Sequence, residues 1–301
     1  MEHPPRPARS DGSVSDVVDR WVASPIPEQP RYSPKVHVKL SILVPAYNEE
    51  RTIKKVVNAL LAAQYPCPVE VVVVDDGSHD ATSLRLKELS DPRLKAFRHP
   101  VNKGKGAAVR TGIARATGTH VVIFDADLEY DPRDIQKLIE PVRQDKARVV
   151  YGSRIQGNNT AFHSLKYAIG GRVTTWYANV LYNSYLKDLH TCLKLMPLDL
   201  ARELKLTEHG FGLDTEITAR ILARGIRPLE VPVSYYGRTA AEGKKLTWRH
   251  GVECVWVLTR VRADSRTTVD DRWAGYHRIE EPDEIPVIRV EAEDETRRPA
   301  V

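Results

Sequence analysis

Short β-branched runs that are apolar on both faces constrain the fold of this chain most. The segments KLSILVPA and VEVVVVDD contain few polar positions, which is typical of parallel strands covered by helices on both sides. Stretches with helical periodicity follow them, from about Glu50 to Ala63 and from about Thr82 to Leu89. This β-α-β-α order, with right-handed crossovers, predicts a doubly wound α/β fold.

The same alternation continues further along the chain. It predicts two helices, over Lys105–Arg115 and Arg133–Gln144, and three strands, at Leu94–Phe97, at His120 and at Arg148–Tyr151. Asp131 and Pro132 are suited to the N-cap and first position of the second helix. The chain therefore predicts one large α/β domain.

Polar side chains follow three of these strands at the point where each strand ends. Tyr47 and Glu49 follow the first strand, Asp75 and Asp76 the second, and Asp125 the fourth. Carboxyl ends of parallel strands share one edge of a sheet, where ligands bind. One carboxylate of the Asp75 and Asp76 pair is expected to cap the following turn and the other to accept a nucleobase N–H.

The segment HVVIFDADLEYDP brings Asp125, Asp127 and Glu129 to the end of an apolar strand. Alternate positions of an extended segment point the same way, and unpaired carboxylates beside an apolar run are costly. A hard divalent cation that grips a diphosphate is therefore a candidate ligand. The alternative is a solvated acidic loop in front of the next helix.

The segment NKGKGAAVRTG places two glycines and two lysines before a helix, where backbone amides and the helix dipole favour a phosphate. Close packing of the helix is an equally good explanation of Gly106. The spacing GxxxxGK[ST] of a P-loop is absent, and PAYNEE rather than GxGxxG follows the first strand. The ATPase and dehydrogenase classes are therefore disfavoured.

Composition bounds the partners and the compartment. The net charge is +5, yet residues 263–301 hold 6 arginines and 11 acidic residues, so the rest of the chain is basic and suits an anionic partner. Nucleic acid is disfavoured because aromatic and cationic side chains do not interleave. We expect a Pro-rich flexible leader over 1–37 and an acidic flexible tail over 263–301. The sequence lacks a membrane-spanning run and a signal peptide, and its three cysteines are scattered, so a cytoplasmic location is expected.

Taken together, VPAYNEE, VVVVDDGSHDAT, NKGKGAAVRTG, DADLEYDP and GSR resemble the inverting glycosyltransferases of family 2, which have the GT-A fold. The likeness is greatest to dolichol-phosphate mannose synthases and related polyprenyl-phosphate sugar transferases. It continues through KDLHTCLKL, FGLDTEITAR and YYGRTAAEGKKLTW. The resemblance implies one GT-A domain over 38–262, with a lid loop at about 233–246 and an amphipathic helix at about 247–262.

The resemblance also implies roles for individual residues. The nucleoside would be held by Pro45, Tyr47, Glu49 and Asp76, with Lys103 nearby. Asp125 would reach the ribose or the metal, whereas Asp127 and Glu129 would ligate Mg²⁺ or Mn²⁺. Arg154 of the GSR block would meet an acceptor phosphate. The lid cations over the diphosphate would be Arg238, Lys244 and Lys245.

The implied reaction is transfer of a hexose from a GDP or UDP sugar to a polyprenyl phosphate. An ionised phosphate acceptor needs no strong base, whereas a hydroxyl acceptor gains from one. Candidate bases are Asp188, Asp214 and Glu216, although Asp214 is equally suited to cap a helix. Transfer to a small metabolite is therefore an alternative. A protein that binds a nucleotide sugar or an anionic lipid without turnover is a second alternative.

Two apolar stripes at helical spacing lie beside cations. The first includes Ile169, Val173 and Trp176, and the second includes Trp248 and Trp256. Apolar stripes usually form core, but aromatic residues flanked by cations also suit a lipid headgroup boundary. Peripheral contact with the inner face of a membrane is thus a further expectation.

Overall fold

The computed structural model describes residues 37–155, 160–161, 165–210, 212–237, 248–267 and 287–288. The strands are β1 Leu40–Ala46, β2 Val69–Asp75, β3 Leu94–Arg98, β4 His120–Ile123, β5 Val150–Ser153, β6 Thr160–Ala161, β7 Lys194–Pro197, β8 Leu229–Pro232, β9 Tyr235–Tyr236 and β10 Val287–Ile288. The helices are α1 Ile53–Ala62, α2 Thr82–Lys87, α3 Lys105–Arg115, α4 Ile135–Arg143, α5 Leu165–Tyr182, α6 Leu198–Glu203, α7 Leu213–Ala223 and α8 Trp248–Thr267.

Eight of the described strands form one mixed sheet in the order β10-β3-β2-β1-β4-β7-β5-β8. The neighbours β3, β2, β1 and β4 are parallel, whereas β7 is antiparallel to both β4 and β5. Strand β1 lies between β2 and β4, so the chain reverses its direction of winding there. Such a switch point leaves a crevice at the carboxyl edge, and the predicted mostly parallel α/β fold is confirmed.

Both faces of the sheet are buried, as the apolar runs require. Ile42 and Val44 of β1 belong to a core shared with α1 and α4, whereas Leu43 between them belongs to a second core on the other face. That second core includes residues of α3, α5, α6, α7 and α8. Alternate side chains of one strand thus anchor two helical layers, which fixes the sheet edge above them.

The predicted N-cap at Asp131 agrees with the structure between β4 and β5. Asp131 accepts a hydrogen bond from the Arg133 amide, and a single 3₁₀ turn over Pro132–Asp134 leads into α4. At the other end of the domain, α8 extends to Thr267, five residues into the segment expected to be tail. Most of the leader, most of the tail and residues 238–246 of the expected lid lie outside the described residues.

Candidate active site

The carboxyl ends of β1, β2 and β4 bring the expected polar residues to one edge of the sheet. Ala46 is in register with Asp75, and the amide of Asp76 donates to the carbonyl of Ala46 at 2.8 Å. The amide of Phe124 donates to Leu43 O at 2.9 Å, so Asp125 follows directly at the same level. The backbone pairing of β1, β2 and β4 therefore brings the residues at their carboxyl ends together.

The two adjacent aspartates at the end of β2 divide their roles. Asp75 is buried and accepts from the Ser78 amide at 2.9 Å and from the Ser83 hydroxyl, which holds the turn into α2. Asp76 accepts from the amides of Lys103 and Gly104 at 3.0 and 2.7 Å. Both Asp76 oxygens thus hold the loop before α3, so contact with a nucleobase stays a prediction.

The glycine-rich loop is held by its own protein neighbours. Gly104 has φ +92°, and the amide of Gly106 donates to His209 O at 2.8 Å. A Cβ on Gly106 would stand 1.9 Å from Glu208 O, so this glycine permits close approach of the 208–209 backbone. The expectation that these loop amides receive a phosphate is wrong for Lys103, Gly104 and Gly106, whose N–H groups already have acceptors.

Lys105, the second lysine of that loop, connects two carboxylates. Its Nζ lies 2.8 Å from Asp125 Oδ1 and 3.2 Å from Asp214 Oδ2. Although burial alone would lower it, the pKa of Lys105 is raised well above its usual value by Asp125 and Asp214. Lys194 lies on the other side of Asp214, with Nζ 3.5 Å from Oδ1. The pKa of Asp214 is lowered because the two ammonium groups outweigh its burial.

The acidic segment after β4 departs from the expected extended geometry. Strand β4 ends at Ile123, and Leu128 has φ +63°, so the segment turns and its carboxylates do not alternate along one strand. Asp127 Oδ1 accepts from the Glu129 amide at 3.1 Å, and Glu129 Oε2 accepts from the Tyr235 hydroxyl at 2.6 Å. In the described residues no group of three or more His, Cys, Asp or Glu side chains is arranged to hold a metal ion.

That arrangement still fits one kind of metal site. Mg²⁺ commonly takes only one or two protein carboxylates and completes its shell with water and substrate phosphates. Asp125, Asp127 and Glu129 are all partly exposed and supply the hard oxygen ligands that such a cation needs. The expected cage of three carboxylates is replaced by a donor set that a nucleotide diphosphate would have to complete.

Arg154 is held rigidly at the end of β5. Its Nε and Nη2 donate to the two oxygens of Asp188, both at 2.7 Å, and its amide donates to Oδ2 at 2.9 Å. Asp188 is only 2% exposed, yet the Arg154 guanidinium outweighs burial and holds the pKa of that carboxyl below its usual value. Burial and the nearby Arg154 lower the pKa of His190 to about 4. Asp188 is therefore placed as the partner of an arginine.

Glu216 is buried, and its carboxylate faces the loop at Thr207 and Glu208. Its carboxylate accepts from the amides of Thr207 and Glu208 at 2.9 and 2.8 Å, and it forms an ion pair with Arg220. These hydrogen bonds outweigh burial and lower the pKa of Glu216. The carboxylate supports the loop that packs on Gly106, so the structure argues against Glu216 as a base.

The loop after β1 places the remaining expected nucleoside contacts. The Glu49 amide donates to Thr82 Oγ1 at 2.9 Å, and the Thr52 hydroxyl donates to Glu49 Oε2 at 2.5 Å. Tyr47 is partly buried, and its ring lies edge-on to His79 at 6.3 Å between centroids. Pro45 is the penultimate residue of β1. The nucleoside roles of these residues, and that of Lys103, stay predictions.

Two further residues of this edge were not predicted from the sequence. Lys194 is fully buried in β7, where an isolated lysine in LKLMP gives no sequence signal. His99 follows β3, and its Nδ1 lies 2.6 Å from Asp76 Oδ1. Its place after a strand end could have identified it. The lid cations Arg238, Lys244 and Lys245 lie outside the described residues.

A family model agrees with this geometry. The model described as glycosyl transferase family 2 matches residues 41–192, about half of the chain, and these residues include the carboxyl ends of β1, β2, β4 and β5. The chain belongs to glycosyl transferase family 2. The family resemblance drawn from the sequence motifs is therefore confirmed.

Curated relatives lie in the same family. The dolichol-phosphate mannosyltransferase of Pyrococcus furiosus is 34% identical over 224 residues, which are 69% of this chain and 59% of the relative. The UDP-N-acetylglucosamine–dolichyl-phosphate N-acetylglucosaminyltransferase of Methanococcus voltae is 38% identical over 132 residues, 38% of this chain and 51% of the relative. This chain spans between 35% and 59% of the length of such relatives.

Solved structures share the fold. Glucosyl-3-phosphoglycerate synthase of Mycobacterium tuberculosis, in complex with Mn²⁺, UDP-glucose and phosphoglyceric acid, superposes with a TM-score of 0.57 and 16% identity. The match covers 85% of this chain and 86% of that one. At this identity the likeness shows the GT-A fold alone, and the fold expected from the family is confirmed.

Proposed function

We propose that this chain transfers a hexose from a GDP or UDP sugar to a polyprenyl phosphate, with inversion and with Mg²⁺ or Mn²⁺ as cofactor. The acceptor oxygen attacks C1 of the sugar, and the bond from C1 to the diphosphate breaks. The dolichyl-phosphate substrates in the names of the curated relatives support this acceptor. The Mn²⁺ complex of the solved neighbour supports a divalent metal.

One observation carries the choice of acceptor. The three candidate bases, Asp188, Asp214 and Glu216, all have lowered pKa values because each is paired with cations or hydrogen-bond donors. A general base for a hydroxyl acceptor is most effective with a pKa near the working pH. A phosphate monoester has a second pKa of about 6 and is already ionised at neutral pH. The site therefore suits an acceptor that needs no base.

Arg154 supplies the complementary charge for such an acceptor. Asp188 fixes its guanidinium through Nε and Nη2, so little side-chain entropy is lost when a phosphate binds. On the donor side, Asp127 with Asp125 or Glu129 would hold the metal. A bound divalent cation would stabilise negative charge developing on the leaving diphosphate.

A transfer assay tests this function. Radiolabelled GDP-mannose, UDP-glucose and UDP-N-acetylglucosamine are each combined with a short polyprenyl phosphate, the matching polyprenol, or phosphorylated and unphosphorylated metabolites. Product is expected only with the polyprenyl phosphate, and EDTA should abolish it. Product formed only with a metabolite would reject the acceptor, and hydrolysis or no product from any pair would reject transfer. Arg154→Met should raise the acceptor KM, whereas Arg133→Met, whose side chain is exposed, serves as the matched control.

An exposed apolar face on α5 and α8 supports peripheral membrane contact. The two helices pack together through Tyr182 Oη, which donates to Leu258 O at 2.8 Å. Their outer faces expose Trp176 and Trp256, each 64% accessible, beside Val173 and Val252. The helices in the described residues are all too short or too polar to span a bilayer. A lipid-phosphate acceptor would be reached from such a surface.

Vesicle sedimentation tests this contact. The wild-type protein should bind vesicles containing anionic lipid, and the double variant Trp176→Ser, Trp256→Ser should lose most of that binding. Leu84→Ser, which removes an exposed apolar side chain on α2, is the control. Equal sedimentation of all three proteins would reject the contact.

A further inference from the structure

Tyr235 joins the two halves of the proposed site. It is 3% exposed and lies in the two-residue strand β9, beside the acidic segment that follows β4. Strand β9 pairs with β6, and Tyr235 also bridges Tyr130. The amide of the next residue, Tyr236, donates to Glu129 O at 2.9 Å. The backbone of β9 is thus fixed against the segment that carries the proposed metal ligands.

The hydroxyl of Tyr235 faces the donor half. Oη donates to Glu129 Oε2 at 2.6 Å, a short bond to a carboxylate and therefore of the stronger, charge-assisted kind. Outer hydrogen bonds of this type orient carboxylates toward a metal.

The ring of Tyr235 faces the acceptor half. The guanidinium carbon of Arg154 lies 5.0 Å from the ring centroid, within the range of a cation–π contact. The ring itself is fixed by Tyr130, whose centroid lies 5.2 Å away at an interplanar angle of 60°. Asp188 holds the edge of the guanidinium through Nε and Nη2. Arg154 is therefore oriented by a carboxylate and by an aromatic face together.

We propose that Tyr235 is a positioning residue with two separable roles. Its hydroxyl orients Glu129 for the metal and diphosphate of the donor, and its ring orients Arg154 for the acceptor phosphate. This inference rests on the proposed function, because it assigns Glu129 to the donor half and Arg154 to the acceptor half. One side chain would then fix the position of the donor site relative to the acceptor site.

Two substitutions separate the roles. Tyr235→Phe keeps the ring and removes the hydroxyl, so the affinity for Mn²⁺ in the presence of GDP or UDP should fall about tenfold with an unchanged acceptor KM. Tyr235→Leu removes both, so the acceptor KM should also rise between about twofold and thirtyfold, the range of a cation–π contact. Tyr236→Phe, which alters a neighbouring tyrosine that is 56% exposed, is the matched control and should leave both quantities at the wild-type value.

The readouts are Mn²⁺ titration by electron paramagnetic resonance, acceptor KM and kcat, and thermal unfolding of each protein. Rescue of the acceptor KM but not of Mn²⁺ affinity on going from Leu to Phe supports the inference, because general loosening of the fold would move both. Mn²⁺ affinity of Tyr235→Phe equal to that of Tyr236→Phe overturns the hydroxyl role. An unchanged acceptor KM in Tyr235→Leu overturns the ring role.

The same experiment distinguishes failure of the proposed function. Wild-type protein that neither binds Mn²⁺ with a nucleoside diphosphate nor transfers sugar to a polyprenyl phosphate would reject the function, and the roles of Tyr235 with it. Wild-type protein that does both, with variants that match the control, would reject the inference alone.

Discussion

Removal of the Asp188 carboxylate should both destabilise the fold and weaken binding at the proposed acceptor site. Asp188 accepts three hydrogen bonds from Arg154, at 2.7, 2.7 and 2.9 Å, and the two side chains are 3% and 16% exposed. Loss of one partner of a buried ion pair leaves a buried charge uncompensated, which costs about 3–5 kcal/mol. We expect Asp188→Ala to lower the free energy of unfolding by about that amount. Since 1 kcal/mol shifts Tm by roughly 2–4 °C in a domain of this size, Tm should fall by roughly 6–20 °C.

Urea unfolding followed by circular dichroism measures this change, and a double-mutant cycle isolates the pair. Asp188→Leu combined with Arg154→Met removes both charges, so it should be less destabilising than the sum of the two single changes. A loss of less than about 1 kcal/mol in Asp188→Ala, or strict additivity in the cycle, would refute the reasoning. Asp188→Asn should raise the acceptor KM because the guanidinium loses its charged anchor.

The pH dependence of this contribution follows from its sign. The folded pKa of Asp188 is lowered, so its stabilisation is fully present above the unfolded value near 3.9 and is lost as the pH falls through the folded pKa. The difference in unfolding free energy between wild type and Asp188→Asn should therefore be constant from about pH 8 to about pH 5 and should shrink below about pH 4. A difference that grows on acidification would contradict the assignment.

Two further predictions concern the scaffold. Glu70 lies at the opposite edge of the sheet and is buried, yet hydrogen bonds from Lys95, Ser41 and Thr117 outweigh that burial and lower its pKa to about 2. Glu70→Gln should therefore lower the free energy of unfolding by about 3 kcal/mol at pH 7 by linkage, and this loss should shrink in urea titrations below about pH 4.5. A loss that does not depend on pH would reject the lowered pKa. Gly106→Ala should lower the free energy of unfolding by about 2 kcal/mol or more, because its Cβ would stand 1.9 Å from the carbonyl oxygen of Glu208. Gly170→Ala has no atom within 4 Å of the new Cβ, so it should be neutral or stabilising by up to about 1 kcal/mol. Equal thermal stability of these two variants would reject the close approach at Gly106.

Sequence periodicity predicted the parallel half of the sheet because that half is built from local signals. Runs such as VVVV and the helical stretches after them specify β1–β4 without long-range information. The antiparallel β7 between β4 and β5 was not predicted, because KLMP is four residues long and is buried only through pairing with distant strands. Strand order there depends on tertiary contacts that a local pattern does not contain.

At the candidate site, residue types were predictable and their partners were not. The sequence placed Asp76 and Asp125 at strand ends, where the structure has them, whereas Arg154 was named through the family resemblance. It did not reveal that Asp76 holds the loop before α3, or that Leu128 has φ +63° and turns the acidic segment. Partners 100 or more residues away in the chain, such as Asp214 for Lys105, are brought together only by the complete fold.

A crystal structure with Mn²⁺ and an unhydrolysed donor analogue tests the central claim most directly. We expect an anomalous peak for Mn²⁺ about 2.1 Å from a carboxylate oxygen of Asp127, close to the distance for Mg²⁺, with the diphosphate on the same ion at the carboxyl edge of β1 and β4. Nucleotide or metal bound elsewhere on the domain, with Asp127 making no contact to either, would contradict it.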